Sequence, residues 1–336
     1  MMLLLNKFTD DCKTRGIDAH TIETYNSNIR LFFDHVQIKP DEISINHLTE
    51  FLSYLRYDKI IGIGIRKKIG ASNSTINGYY SALQAFYDYL EFYDLFDHNP
   101  IPKFRRRYLV NINKKSKGPD NTRQLINIHQ MAQLVYTTTD PLERALIITL
   151  AKTGVRKNEL MTMDLSGYNP TNGTIYIKST PKRSLRIVYI DQEAIDTIDQ
   201  YLESKINNTN PALFIINNHR VNKNDVHDIV TENAKRLGFH NPDGLLIEKF
   251  TAHCCRHWFT AHLRRAGMSE EYRMALRGDV VTNAVGIYDH IDLDFDLGDV
   301  RAAYLKMIPQ LSEALVCPAA DLWISDPGRQ TLIESF

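Results

Sequence analysis

Apolar residues in the first hundred positions recur every three or four residues, which is the spacing of an amphipathic helix. Three such runs occur, at 22–36, 45–57 and 76–90. Pro40 interrupts the pattern after the first run, and Asn99-Pro100 closes the region, because proline does not continue a helix. We therefore predict a compact domain of about four helices within residues 1–102.

A different pattern, the alternation of apolar and polar residues, flanks one polar turn in the second half of the chain. Residues 174–178 and 185–190 alternate in this way, which predicts an antiparallel β-hairpin. Helical spacing occupies further runs, at 128–136, 141–153, 192–203, 223–237 and 252–266. The predicted fold class is mainly α, with a mostly helical second domain that carries a small antiparallel β-sheet.

The net charge of the chain indicates no nucleic-acid partner, since 40 Lys and Arg balance 40 Asp and Glu. The distribution of the charges along the chain is more informative. Between Asn99 and Pro119 there is no acidic residue. The cations of this stretch are Lys103, Arg105, Arg106, Arg107, Lys114, Lys115 and Lys117. The stretch lacks helical or strand periodicity and contains Gly118-Pro119, so residues 103–124 are predicted to be an interdomain linker. Its cations are suited to neutralising phosphates, and a solvated linker without a partner is the alternative.

Membrane and disulfide-rich classes are not supported by the sequence. No apolar stretch approaches the roughly 20 residues of a membrane helix. The apolar start, Met1 to Leu5, is much shorter than a signal-peptide core. Cys12, Cys254, Cys255 and Cys317 have neither the number nor the spacing of a disulfide framework or a zinc site. We expect an intracellular, reducing location.

Two short motifs carry charged residues that could act on an anion. In Thr153-Gly154-Val155-Arg156, an arginine follows a glycine, and Glu159 comes three residues later. Taken alone, this spacing is that of an ordinary surface ion pair. Lys182 and Arg183 lie at the tip of the predicted hairpin, where lysine often serves solubility only.

Two further motifs follow near the C-terminal end. His253 and Arg256 begin a predicted helix on one side of it, near backbone N–H groups that attract phosphate. A buried histidine beside a surface arginine is the alternative. Asp279 follows Arg277-Gly278, and Tyr288 comes nine residues after it. One tyrosine among 17 indicates nothing by itself beyond packing.

Taken in order, these motifs resemble those of the tyrosine recombinase family, which includes phage and viral integrases and chromosome-dimer resolvases. That family has an arginine in a Thr-Gly-Leu-Arg-x-x-Glu-like motif, a lysine in a β-hairpin turn, His-x-x-Arg, and a Leu-Gly-His segment followed by a tyrosine. The matching residues here are Arg156, Lys182, His253, Arg256 and Tyr288. About a hundred residues separate the first arginine from the histidine, as in the family. The resemblance spans roughly residues 15 to 310.

The sequence departs from the family at Asp279, where histidine or tryptophan is usual. Ionised aspartate accepts hydrogen bonds and repels phosphate. Either Asp279 points away and braces a neighbouring arginine, or the alignment shifts by one residue there. Tyr288 is unaffected, since residues 287–291 resemble the family's Ile-Tyr-Thr-His segment. Lys178 and Arg183 remain alternatives to Lys182 as the catalytic lysine.

The resemblance implies a reaction and a role for each matching residue. Arg156 and Arg256 bind the phosphoryl oxygens, and Asp279 belongs to the same site. Lys182 protonates the leaving 5′-oxygen, and His253 hydrogen-bonds the phosphate or acts as a base. Tyr288 forms a 3′-phosphotyrosine link, which a 5′-hydroxyl of another strand resolves. Neither a metal nor any cofactor is implied.

The resemblance also implies a domain order and partners. A helical core-binding, SAM-like DNA-binding domain occupies residues 1–102, the linker 103–124, the catalytic domain 125–315 and a tail 316–336. The linker cations and Arg183 contact double-stranded DNA that carries specific target sites, and a homotetramer forms in the synapse. No membrane is involved, and the location is cytoplasmic, with the nucleoid. A helix over about 301–315 docks on a neighbouring protomer or packs in its own chain.

Three other interpretations stay open at this point. A type IB topoisomerase uses similar chemistry, although it lacks the integrase-like N-terminal region. A DNA-binding protein that has lost catalysis is a second, with Asp279 as the first sign of decay. A helical adaptor whose matches arise by chance is a third, and it requires five coincidences.

Overall fold

The computed structural model describes residues 1–62, 68–109, 123–178, 186–205, 209–279 and 297–316. The chain divides into two compact units, Met1–Gly118 and Pro119–Phe336. Each unit has a hydrophobic core of its own. Within the described ranges, every helix is too short or too polar to span a lipid bilayer.

The first unit is helical, as predicted. Its α-helices are α1 (Met2–Thr14), α2 (Ala19–Val36), α3 (Ile45–Ser53), α4 (Asn73–Phe92) and α5 (Ile101–Tyr108). One short antiparallel pair, β1 (Ile60–Ile61) and β2 (Lys68–Ile69), lies between α3 and α4. The three predicted runs are α2, α3 and α4, and side-chain oxygens of Asp18, Ser44 and Ser72 cap their first turns. The described residues of this unit form five α-helices where about four were expected, and α1 and α5 were not predicted.

Aromatic residues dominate the core of the first unit. Phe32 packs edge-on against Phe51, with ring centroids 5.1 Å apart. Tyr80 and Tyr87 are buried, and their hydroxyl groups donate to the carbonyls of Leu48 and Pro40 at 2.6 and 2.9 Å. The α2, α3 and α4 helices are thus joined by ring packing and by hydrogen bonds that satisfy the buried phenols.

The beginning of the predicted linker is a helix, so the prediction of an irregular segment from Lys103 onward was wrong for residues 103–108. Ile101 and Phe104 are buried on one side of α5, and the Phe104 ring stacks on Tyr80 at 5.1 Å. Two buried positions at i,i+3 spacing are too few to give a periodic signal in the sequence. Lys114, Lys115 and Lys117 lie outside the described residues.

The second unit is mostly helical around a three-stranded sheet, as predicted. Its helices are α6 (Ile128–Tyr136), α7 (Pro141–Thr153), α8 (Lys157–Met161), α9 (Gln192–Ser204), α10 (Lys223–Arg236), α11 (Ala252–Arg265), α12 (Glu270–Arg277), α13 (Leu297–Met307) and α14 (Leu311–Val316). Its strands are β3 (Tyr168–Asn169), β4 (Thr174–Ile177), β5 (Arg186–Tyr189), β6 (Ile215–Ile216) and β7 (His219–Arg220). The β4 and β5 strands form the predicted antiparallel hairpin, with Ile175 opposite Val188. The β3 strand extends it, and β6 pairs with β7.

The α7 helix is the centre of the second unit. All residues from Ala145 to Thr153 are buried, and α9, α10 and α11 pack around it. Burial on all sides explains the apolar run Ala145-Leu146-Ile147-Ile148, and the buried Lys152 near the end of the helix is paired with carboxylates. Its last turn fixes the position at which the next segment, with Arg156, begins.

The C-terminal helices pack against their own unit. The segment predicted as one helix over 301–315 is two, α13 and α14, with a break at Pro309. Val300, Tyr304 and Leu311 are buried in the core of the second unit.

Candidate active site

The turn between α7 and α8 positions Arg156. Gly154 ends α7 with φ of 60°, a left-handed conformation, and a Cβ atom there would lie 2.4 Å from Cδ1 of Phe259. Both facts require glycine at this position. Arg156 comes two residues later as the N-cap of α8, and its backbone N–H donates to Oε2 of Glu159 at 2.7 Å. The glycine and the glutamate of the motif therefore both set the backbone of Arg156.

Arg256 reaches this turn from α11. Its side chain is 4% exposed, and Nη1 donates to the carbonyl of Gly154 at 2.7 Å. Nη2 donates to the carbonyl of Arg277, the last residue of α12, at 3.2 Å. The guanidinium group therefore joins the ends of α7 and α12. His253 and His257, on the same helix, are exposed, so the alternative of a buried histidine beside a surface arginine was wrong.

Asp279 brings the two predicted arginines together. One carboxylate oxygen, Oδ1, accepts a hydrogen bond from Nη2 of Arg156 and another from Nη2 of Arg256, both at 2.9 Å. The other oxygen, Oδ2, lies 2.8 Å from Nη2 of Arg277. Asp279 therefore braces three guanidinium groups, as the first of the two sequence alternatives expected, but it lies between Arg156 and Arg256 rather than pointing away from them.

Glu159 and Arg186 form a layer beneath this cluster. Glu159 is buried, and its two oxygens accept from Nη1 and Nη2 of Arg186 at 2.8 and 3.1 Å. This fork is the strong, two-bond form of an arginine–carboxylate pair. Arg156 lies farther away, with Nη1 at 3.6 Å from Oε1. The interpretation of Arg156 and Glu159 as an ordinary surface pair was therefore wrong, since the carboxylate is buried and binds β5.

Nearby positive charge and partial burial lower the pKa values of His253 and His257. Partial burial, followed by the nearby Arg123 guanidinium and the His257 ring, lowers the pKa of His253 to about 4. Burial and then Arg123 also lower the pKa of His257. The two rings meet edge to face, with centroids 4.7 Å apart. Near neutral pH, His253 is therefore uncharged and one of its ring nitrogens is free of a proton.

The cluster keeps its charges despite its crowding. Burial, and then repulsion by Arg156 and Arg277, lowers the pKa of Arg256 to about 10, which still leaves it charged at neutral pH. Burial acts to raise the pKa of Asp279, but hydrogen bonding and attraction from the arginines outweigh it and lower that pKa. Four arginines, at 156, 186, 256 and 277, face the two carboxylates of Glu159 and Asp279, so the site has an excess of positive charge and suits an anion.

The other predicted site residues either lie outside the described residues or lie away from the arginine cluster. Lys182, Arg183 and Tyr288 lie outside the described residues. Lys178, an alternative catalytic lysine, is described, and its ammonium group pairs with Asp164 on the sheet side. Lys103, Arg105, Arg106 and Arg107 all lie on α5 in the first unit, where Lys103, Arg106 and Arg107 are exposed and Nη1 of Arg105 donates to Gln84 at 2.6 Å.

The sequence reasoning missed two arginines of the cluster, Arg186 and Arg277, and one beside it, Arg123. Arg277 lies two residues before Asp279 in the chain, and this arginine next to an unexpected aspartate could have indicated an ion pair at the site. Arg186 begins the strand after the hairpin tip, and Arg123 follows the basic stretch. No sequence pattern around either residue indicates a role in the site. In the described ranges, no group of three or more His, Cys, Asp or Glu side chains is arranged to hold a metal ion.

Two family models and several known proteins are similar to this chain. The model of the phage integrase family matches residues 119–293, and that of the phage integrase N-terminal SAM-like domain matches residues 4–95. The chain is 24% identical over 293 residues to tyrosine recombinase XerC of Thermodesulfovibrio yellowstonii, covering 83% of this chain and 88% of that protein. It is 27% identical over 311 residues to tyrosine recombinase XerA of Saccharolobus solfataricus, covering 92% and 94%.

Two solved structures share the fold. One is the Tn1549 transposon integrase in complex with circular intermediate DNA, with a TM-score of 0.64 and 16% identity over 88% of this chain and 98% of that one. The other is the XerH site-specific recombinase bound to palindromic difH substrate, in a post-cleavage complex. Its TM-score is 0.58, with 19% identity over 96% of this chain and 85% of that one.

Proposed function

The chain belongs to the phage integrase family, and we propose that it is a site-specific DNA recombinase that cuts and rejoins strands through a covalent link to Tyr288. The observation that carries this proposal is the convergence of Arg156 and Arg256 on a single acceptor oxygen. The two donors come from segments about a hundred residues apart, and guanidinium groups match phosphate oxygens in charge and shape.

The reaction needs a nucleophile, charge stabilisation and a proton for the leaving group. The phenol oxygen of Tyr288 attacks the phosphorus, and the bond to the 5′-oxygen breaks. Arg156 and Arg256 stabilise the charge that builds on the other oxygens. Lys182 protonates the 5′-oxygen as it leaves. A 5′-hydroxyl from another strand then attacks the phosphotyrosine, releases Tyr288 and rejoins the DNA.

The neutral state of His253 fits a role in this step. An unprotonated ring nitrogen accepts the phenol proton, whereas an imidazolium ion cannot. The low pKa of His253, about 4, keeps that nitrogen available over the whole neutral range. Once the anionic substrate offsets the nearby arginines, the ring also donates a hydrogen bond to phosphate. We therefore propose that the neutral His253 ring hydrogen-bonds the phosphate or accepts the phenol proton of Tyr288.

Double-stranded DNA with specific target sites is the proposed substrate. Lys103, Arg106 and Arg107 supply phosphate contacts from α5, and Lys114, Lys115, Lys117 and Arg183 add contacts outside the described residues. Such contacts give affinity at any sequence and position the duplex. We also propose a homotetramer as the active assembly, because exchange between two duplexes requires four cleavages. The proposed location is the cytoplasm, with the nucleoid.

The test is covalent trapping on a nicked suicide substrate, in which the cleaved fragment diffuses away. Wild-type protein is expected to form a detergent-resistant adduct with attachment-site DNA, and peptide mapping is expected to find Tyr288. Tyr288→Phe is expected to bind the same DNA and form no adduct, because the phenyl ring has no nucleophilic oxygen. Tyr272→Phe, on α12, is the matched control and is expected to form the adduct.

Other outcomes would replace the proposal. An adduct that persists in Tyr288→Phe identifies another nucleophile. DNA binding without any adduct in wild-type protein indicates a DNA-binding protein that has lost catalysis. Relaxation of supercoiled DNA that lacks target sites indicates a topoisomerase of type IB.

A further inference from the structure

One donor atom of each arginine that would bind a phosphate is already engaged within the protein. Nη2 of Arg156 and Nη2 of Arg256 both donate to Oδ1 of Asp279 at 2.9 Å. A phosphate oxygen placed between these guanidinium groups would stand where Oδ1 stands now. Two anionic oxygens at one point repel each other strongly. Phosphate and Asp279 therefore compete for the same two arginines.

Arg277 holds the same carboxylate from the other side. Its Nη2 lies 2.8 Å from Oδ2, whereas the hydrogen bonds from Nη2 of Arg156 and Nη2 of Arg256 go to Oδ1. The Arg277 side chain is 30% exposed, close to the 32% of Arg156. Its Nε is buried and has no hydrogen-bond partner among the described residues. This arginine can thus keep Asp279 when the other two release it.

The charges of Arg277 and Asp279 cancel each other. With both present, the cluster has four arginines and two carboxylates, an excess of two positive charges. With both Arg277 and Asp279 removed, three arginines and one carboxylate remain, and the excess is still two positive charges. Loss of Asp279 alone raises the excess to three, and loss of Arg277 alone lowers it to one. The two residues are therefore expected to act as a unit in anion binding.

From this geometry we infer that Asp279 is an internal anion that occupies the phosphate position, and that Arg277 is the positioning residue that holds its carboxylate when a phosphate displaces it. The inference rests on the proposed function, since it takes a DNA phosphate as the incoming anion. Displacement breaks the contacts of Oδ1 with Arg156 and Arg256, while Oδ2 stays on Arg277. The carboxylate thus remains paired and never becomes an unneutralised charge next to the phosphate.

The experiment measures the affinity of the full chain for inorganic phosphate by calorimetry at constant ionic strength. Asp279→Asn is expected to bind about 10-fold more tightly than wild type, because a charged competitor is removed. Arg277→Gln is expected to bind about 10-fold more weakly, because Asp279 then remains on Arg156 and Arg256. The double variant Arg277→Gln/Asp279→Asn is expected to return to within about 3-fold of wild type.

Two controls make the comparison specific. Arg273→Gln, one turn earlier on α12, removes the same charge from an arginine that donates to the carbonyls of Met268 and Ser269, and its affinity is expected to equal that of wild type. Arg156→Gln is expected to abolish the binding, which assigns the phosphate to this site. Tryptophan fluorescence during unfolding checks that each variant is folded.

Equal or weaker phosphate binding by Asp279→Asn overturns the inference, and this holds even when Arg277→Gln does not fold. A double variant as weak as Arg277→Gln also overturns it, because Arg277 would then act on the phosphate independently of Asp279. Phosphate affinity does not depend on strand cleavage. Failure of the proposed function would instead appear as a missing covalent adduct in wild-type protein.

Discussion

At the scale of single residues, one carboxylate explains how three guanidinium groups remain close together. Arg156, Arg256 and Arg277 repel one another, and this repulsion adds to burial in lowering the pKa of Arg256 to about 10. Asp279 offsets that repulsion through contacts of 2.8 to 2.9 Å with all three. Removing one partner of a buried charged group leaves the other charges uncompensated. The aspartate is therefore a structural part of the site, whatever its effect on phosphate.

His253 gives the first prediction at this scale. Substituting Arg123→Gln is expected to raise the pKa of His253 from about 4 towards the ordinary 6.5, because Arg123 is the largest source of repelling charge. The shift is measured by following the ring resonances of His253 during a pH titration by NMR. Arg264→Gln, an exposed arginine on the same helix, is the control and is expected to leave the titration unchanged. An identical midpoint in both variants would show that burial alone sets the pKa.

The same pKa has a consequence for stability, with a definite sign. The folded protein holds His253 unprotonated between about 4 and 6.5, whereas the unfolded chain protonates it in that range. The unfolded state then binds more protons, so this residue makes the protein less stable as the pH falls from 6.5 towards about 4. Above 6.5 it has no effect on the pH dependence.

At the scale of elements, buried charges fasten α14 to the second unit. Lys152, fully buried on α7, donates to Asp191 and Glu193 at 2.5 and 2.6 Å. Glu193 also accepts from the backbone N–H groups of Leu311 and Ser312, the first residues of α14, at 2.8 and 2.6 Å. It therefore acts as an N-cap supplied by a different helix. Burial acts to raise the pKa of Glu193, but Lys152 and these donors bring it to about 2.

Removing that charge is expected to destabilise the second unit. Glu193→Gln leaves the ammonium group of Lys152 with one carboxylate and weakens the cap, at a cost of about 2–4 kcal/mol. Glu203→Gln, on the exposed side of the same helix, is expected to change stability by less than about 0.5 kcal/mol. Urea unfolding followed by tryptophan fluorescence measures this, because Trp258 and Trp323 are the only two tryptophans and both belong to the second unit. Equal midpoints for the two variants would contradict the capping role.

The Glu193 contribution also depends on pH in the direction usual for a carboxylate. Its folded pKa, about 2, lies below the ordinary value of 4.5. The stabilisation is complete above 4.5 and is lost as the pH falls from 4.5 towards about 2. Glu193→Gln is therefore expected to lose most of its difference from wild type in acid.

At the scale of the whole molecule, balanced charge conceals a local basic surface. Equal numbers of cations and anions give no overall attraction to DNA. The α5 helix, however, has buried Ile101 and Phe104 on one side and exposed Lys103, Arg106 and Arg107 on another. Because the helix packs on the core of the first unit, these cations are held on a rigid element rather than on a free chain.

This surface gives a prediction for DNA binding. Charge reversal of Arg106 and Arg107 to glutamate is expected to weaken binding at target and non-target sequences alike, and to reduce the slope of log affinity against log salt by about 2. Arg105 is left unchanged, since its bond to Gln84 makes it part of the fold. Reversal of Lys7 and Lys13 on α1 makes the same change in total charge and is expected to have a small effect. Filter-binding titrations over a range of salt concentrations compare the two, and equal losses would remove α5 from the interface.

Much of this protein follows from its sequence, because the relevant signals are local. Helical periodicity at i,i+3 and i,i+4 predicted α2, α4, α7 and α11, and alternation predicted the β4–β5 hairpin. The order of the motifs around Arg156, Arg256 and Tyr288 identified the family. The periodic signals depend on neighbours within a few positions and the family pattern on the order of short motifs along the chain, so no tertiary contact is needed to recognise either.

Only the tertiary structure decided what the charged residues do to one another. Arg156 and Arg256 meet because α11 packs on α7 with Gly154 against Phe259, a contact between segments about a hundred residues apart. In the packed second unit, Asp279 lies between three arginines, and Glu159 accepts hydrogen bonds from Arg186. Electrostatic interactions depend on distance in space, and the sequence specifies that distance only through the packed core. A charged residue can therefore be found by its motif, but its partner is found only in the folded chain.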